Sequence, residues 1–130
     1  MAGAQQLQQV AREPVGGPAL RTFFRIAEAW GLGPEEQRVI LGIPSTSTFY
    51  KWRKEPPARL SPDMLERLSY VFGIYKALGI LLKEPLADEW VRRPNTNPLF
   101  GGRAPIHRML SGHVADLYVV RQYLDAERGG

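Results

Sequence analysis

The stretch GPEEQRVILGIPSTSTFYKWRK, residues 33–54, decides the fold. Pro34 suits the first turn of a helix, where its missing N–H leaves no bond unmade, and Glu35 and Glu36 sit against the positive end of the helix dipole. The helix so started runs to Leu41. Gly42-Ile43-Pro44 breaks it, and Ser45 or Thr46 caps a second helix that ends before Pro56-Pro57. Phe49 and Trp52 turn inward, and Ile43 plugs the space between the two helices. Two short helices joined by a glycine-containing turn are the geometry of a helix-turn-helix, whose second helix enters the major groove of DNA while the first braces it.

With Phe49 and Trp52 inward, the helical period puts Ser47, Tyr50, Lys51 and Lys54 on the outer side, with Arg53 at its margin. Lys51, Arg53 and Lys54 would supply the salt-dependent attraction to phosphate, and Ser47 and Tyr50 the base or positioning contacts. Glu35 and Glu36 would oppose DNA if the first helix lay flat on the backbone. The plain alternative is a helical corner whose outer face is merely solvated.

Upstream, Leu20, Phe23, Phe24, Ala27 and Trp30 recur at helical spacing, and Gly31 stops that helix. Residues 1–18 lack hydrophobic periodicity and end in Pro14, Gly16, Gly17 and Pro18, which reads as a flexible arm. Downstream, Ser61-Pro62-Asp63 opens a longer helix whose core face carries Leu65, Leu68, Phe72, Tyr75 and Leu78. Pro85 opens a fifth helix, with Leu86 and Trp90 inward, that Pro94 closes. A loop over 95–103 leads to a short helix from Pro105 to Leu110; Gly112 then breaks the chain before a last helix patterned by Leu117, Val120 and Leu124. No segment alternates as a strand does. The expected architecture is all-α: an arm (1–18), a helix-turn-helix domain (19–57) and, past the proline-rich 56–60 boundary, a helical unit (61–130) packed on it.

The 130 residues suffice for one ordinary core, and the net charge of +4 favours an acidic partner without requiring nucleic acid. With no cysteine, disulfides and thiolate chemistry are excluded; no apolar run reaches the length of a signal core or membrane span, so a cytoplasmic location is expected. His107 and His113 are too far apart in sequence to share a helical face, and Ser111 beside His113 lacks an orienting acid and an oxyanion hole. Neither metal nor cofactor nor catalysis is expected.

From Ser61 onward the chain resembles the MbcA/ParS/Xre antitoxin family. The resemblance rests on Leu65-Glu66-Arg67-Leu68 through Ile74-Tyr75-Lys76-Ala77-Leu78, Trp90-Val91 before Arg93-Pro94-Asn95, and Phe100-Gly101-Gly102 with Ala104-Pro105-Ile106 and Met109-Leu110. Val120-Arg121-Gln122-Tyr123-Leu124-Asp125-Ala126 and the terminal Gly-Gly complete it. It implies a type II toxin-antitoxin pair in which a helical C-terminal domain binds a RES-domain, NAD-consuming toxin; repression of its own operon as a homodimer is expected beside it, because helix-turn-helix proteins usually read two half-sites one DNA turn apart. It further implies that residues 123–130, with Tyr123, Asp125, Arg128, Gly129 and Gly130, enter or cover the toxin's cleft. On the residues alone, a slim glycine-ended tail suits a narrow cleft, and a frayed terminus is the plain alternative. Two other readings stay open: a free-standing regulator whose C-terminal half dimerises, and an adaptor that uses Trp90 and the last helix to hold another protein.

Overall fold

The computed structural model describes residues 15–129, and among these it contains seven α-helices, two 3-10 turns and no strand. Helix α1 (Gly16–Ala29) begins earlier than the sequence suggests. Met1 to Pro14 of the expected arm lie outside the described residues, but Gly16, Gly17 and Pro18 form the first turn of α1 and not an arm. The glycines escape their usual role because Gly16 is docked: its N–H donates to the carbonyl of Ala58 at 3.0 Å. A Cβ there would stand 1.8 Å from the Pro57 oxygen, so only glycine allows this approach. Pro18 lies where a helix has no acceptor for its N–H.

Leu20, Phe23, Ala27 and Trp30 of the first stripe are buried, and Phe24 packs edge-on against Phe49 at 6.2 Å. Helix α2 (Pro34–Leu41) starts as expected on Gly33-Pro34, with the Glu36 carboxylate accepting the Gly33 N–H at 3.0 Å. Gly42, at φ +72°, closes α2 in the left-handed conformation. Ser45 is the cap of α3 (Thr46–Lys54), its oxygen accepting from the Thr48 N–H. Ile40, Leu41, Ile43 and Phe49 are essentially inaccessible; Trp52 is half-buried.

Helix α4 (Pro62–Leu81) is capped by Ser61 and continues through both Gly73 and Gly79. Its buried face is Met64, Leu68, Val71, Ile74, Ala77 and Leu78. Two members of the expected stripe fit, Leu68 and Leu78. Leu65 and Phe72 are half-buried, and Tyr75 is 39% exposed. The reason is that α4 has helices on two sides, so its inner face is broader than a single-neighbour stripe and is centred away from Tyr75.

Beyond α4, the fifth helix is one turn, α5 (Leu86–Glu89), continued by a 3-10 turn (Trp90–Arg92). Leu86 is not inward: it is 47% exposed, and Ala87 and Val91 fill the core instead. So short an element buries only one row, and that row passes through Ala87. A 3-10 turn (Pro98–Phe100) and α6 (Pro105–Met109) follow, burying Phe100, Ile106 and Met109. Helix α7 (Val114–Glu127) carries the expected Leu117, Val120 and Leu124 into the core.

Parallel packing of α7 along α4 organises the second half. Arg67 donates to the carbonyl of Gly112 ahead of α7, the rings of Tyr70 and Tyr118 meet at 5.5 Å, and Arg121 lies over Gly73 while donating to the Ser69 carbonyl. Partners thus advance together along both helices. One continuous core joins the halves, from Leu20 in α1 to Leu124 in α7.

Candidate functional site

The outer side of α3 is open. Ser47, Tyr50, Lys51, Arg53 and Lys54 are all exposed, and Lys51, Arg53 and Lys54 gather in its last turn. Tyr50 is anchored at its root, edge-on to buried Phe49 at 5.4 Å, while half of its surface stays accessible. A rigidly held aromatic hydroxyl and three cations on one short helix are suited to a groove lined by phosphate.

The two carboxylates at the start of α2 are neutralised. Glu35 pairs with Arg38, and that hydrogen bond holds its carboxyl below the usual range while raising the arginine. Arg38 also donates to the Ile43 carbonyl at 2.8 Å, so the same side chain braces the turn. Partial burial would raise the Glu36 carboxyl, but hydrogen bonds from Arg92 and the Gly33 N–H outweigh it and lower it. Their opposition to DNA is thereby reduced.

Sequence reasoning missed Arg67 and Arg92, which tie the helix-turn-helix to the rest. Arg67 donates to the carbonyls of Ile40 (3.4 Å) and Gly112 (3.0 Å) and pairs with Asp63 at 2.9 Å. It lies over Gly42 so closely that a Cβ there would be 2.7 Å from its Nε. Arg92 donates to the exposed end of α1, the carbonyls of Trp30 (3.0 Å) and Gly31 (2.7 Å). Apart from Asp63, dozens of residues separate these partners, so no local pattern could reveal the bridges.

At the other end, the expected inhibitory segment is helical as far as Glu127. Tyr123 is half-buried, stacked on Trp90 (6.3 Å, 17° between planes) and edge-on to Phe100 (5.6 Å). Trp90 and Phe100 meet edge-on at 5.8 Å. This trio fixes α7 against the 3-10 turns, so Tyr123 is a packed residue and not part of a free tail. Asp125 lies between Arg121 (3.5 Å) and Arg128 (3.7 Å), and Gly129 turns the chain out of the helix at φ +88°. Gly130 lies outside the described residues.

His107 is exposed with Nδ1 3.2 Å from an Arg103 nitrogen, and His113 is the N-cap residue of α7. Among the described residues no group of three His, Cys, Asp or Glu is placed to hold a metal, and no helix is long and apolar enough to cross a membrane.

These features define a helix-turn-helix protein whose second half is a helical unit sharing its core. The family model "Antitoxin Xre-like helix-turn-helix domain" matches residues 11–73, and "Antitoxin Xre/MbcA/ParS C-terminal toxin-binding domain" matches residues 77–130. The chain belongs to the Xre/MbcA/ParS antitoxin family and is the antitoxin of a toxin-antitoxin system. The first match runs past the 19–57 unit expected from the sequence and takes in more than half of α4, so the two matches meet inside one helix. An uncharacterized protein, y4oB, of Sinorhizobium fredii (strain NBRC 101917 / NGR234) is 46% identical over 129 residues, covering 98% of this chain and 95% of that one.

Proposed function

We propose that this antitoxin binds and blocks a RES-domain, NAD-consuming toxin in the cytoplasm, and represses its own operon as a homodimer through α3. The toxin class is supported by membership of the family. The blocking role of residues 123–130 is supported by one observation above all: the aromatic-braced helix α7 ends at Glu127, and Gly129 at φ +88° turns the chain out of it. A slender glycine-containing segment on an ordered base enters a cleft with little loss of freedom. In this reading Arg128, Gly129 and Gly130 enter, Asp125 orients Arg128, and Tyr123 sets the angle of α7.

DNA recognition is proposed for Ser47, Tyr50, Lys51, Arg53 and Lys54. Two copies are required because helix-turn-helix proteins read half-sites about one DNA turn, ~34 Å, apart.

Co-expression with the product of the adjacent reading frame tests the pairing. The full chain should restore growth, and a chain cut after Glu127 should not. If the neighbour is harmless on its own, or the shortened chain protects as well as the full one, the reading fails. A gel shift on the DNA upstream of the gene tests repression independently.

A further inference from the structure

We propose that Arg25 of α1, which shares a surface hollow with Arg53, extends the DNA interface beyond α3 and holds a backbone phosphate at the edge of the major groove. This rests on the reading of α3 as the DNA-binding helix and adds to it a contact from a helix outside the helix-turn-helix pair.

The observation is an open hollow of about 460 Å3 bordered by α1, α2 and α3. Phe24 and Leu32 contribute apolar lining, and Arg25, Glu28 and Arg53 are its charged groups. Both arginines are exposed, and they come from different helices. Among the described residues neither has a carboxylate partner: Arg25 donates only within α1, to the Thr22 hydroxyl at 3.3 Å. Arg38, Arg67 and Arg92, by contrast, are held by Glu35, Asp63 and Glu36. Two unpaired guanidiniums around one indentation suit an anion that arrives from outside, and apolar walls strengthen their field.

The place of the hollow beside α3 says which anion. The helical period sets Arg53 between buried Phe49 and exposed Tyr50 around α3, on the flank of its outer face. Phe24, which lines the hollow, meets Phe49 edge-on at 6.2 Å, so the hollow runs along that same flank. A helix with its side chains, ~10–12 Å across, fills a major groove ~12 Å wide, so groups on its outer face meet base edges and groups on its flank meet the sugar-phosphate backbone. A duplex read by Tyr50 therefore brings a phosphate to Arg53 and to Arg25 beside it, and the planar fork of arginine takes two phosphate oxygens at once. Glu28 lines the same hollow and opposes the phosphate, which supplies a second handle of opposite sign.

Fluorescence anisotropy of labelled duplexes, titrated with the full chain at several salt concentrations, provides the test. One duplex is the DNA upstream of the gene and the other an unrelated sequence of equal length. Because Arg25 is exposed and bonds only within its own helix, Arg25→Ala should keep the helical circular dichroism and melting temperature of the parent. It should weaken binding about five- to tenfold at ~0.1 M salt on both duplexes and reduce the slope of log affinity against log salt by about one. Glu28→Gln should strengthen binding, and Lys83→Ala, which removes an equal charge beyond α4, should match the parent. A parent-like slope in Arg25→Ala, with a reduced slope when Lys51 and Lys54 are replaced by alanine, would overturn the Arg25 contact and leave the α3 reading standing. A loss on the upstream duplex alone would make the contact one to a base, and an equal loss in Lys83→Ala would make it an effect of net charge; either overturns the phosphate contact. Absence of binding by the parent chain to both duplexes would overturn both readings.

Discussion

Gly42 is where the helix-turn-helix depends on a single residue. Its φ of +72° excludes most side chains, and Arg67 occupies the space a Cβ would need. Gly42→Ala should therefore lower stability by about 2 kcal/mol in urea titration, the cost of a left-handed alanine plus displacement of the guanidinium. A loss under about 0.5 kcal/mol would mean that the turn tolerates a side chain. The glycine was legible in the sequence as a turn signal; the arginine above it was not, because it arrives from another helix. Acidic residues carry a second expectation. Ser111, with Arg108 beside it, holds the Asp116 carboxyl below its ordinary value of 3.8, and Glu36 is held below 4.5 despite its burial. Depressed folded-state values give stability that is complete above the unfolded values and lost as pH falls through the folded ones. The urea midpoint should thus be flat above about pH 5 and decline below about pH 4.5, and Asp116→Asn should shrink that decline.

Helix α3 is the element whose reading transferred most directly from sequence to structure. Its cap, buried Phe49 and open outer side follow from local spacing, and the only amendment is the half-exposure of Trp52. Replacing Lys51 and Lys54 together by alanine should weaken binding to all DNA sequences alike and reduce the slope of log affinity against log salt by about one to two. Ser47→Ala should instead alter discrimination between operators, which gel shifts on point-mutated operators measure. An unchanged salt slope in the lysine variant would remove this face from the DNA interface. Helices α4 and α5 were less legible, since Tyr75 and Leu86 obey the periodic pattern yet face outward. A helix with two neighbours, or with a single turn, does not advertise which apolar residues lie inside. Tyr123 shows the same limit at the end of α7: its place in the resemblance suggests a tail, but Trp90 and Phe100 hold it in the fold. Tyr123→Ala should destabilise by about 2 kcal/mol, whereas Tyr123→Phe, which keeps the stack, should stay within about 0.5 kcal/mol of the parent.

Across the whole molecule, the helix-turn-helix and the toxin-binding half share α4, one core, and the Arg67 and Arg92 bridges. Calorimetry should therefore record one unfolding transition with equal calorimetric and van't Hoff enthalpies; two resolved transitions would show that the halves fold separately. The sequence indicated a division near the prolines at 56–57, because proline-rich stretches so often separate domains. Here the Ala58 carbonyl accepts the Gly16 N–H and the Pro57 oxygen lies against Gly16, so the segment packs on the start of α1. The central claim concerns the other end of the molecule. Its most direct test is NAD turnover by the purified product of the adjacent reading frame, alone, with the full antitoxin, and with the antitoxin cut after Glu127. Consumption of NAD by the partner alone, its arrest by the full chain, and its persistence with the shortened chain are the expected results; no consumption of NAD, or equal arrest by both forms, would contradict the account.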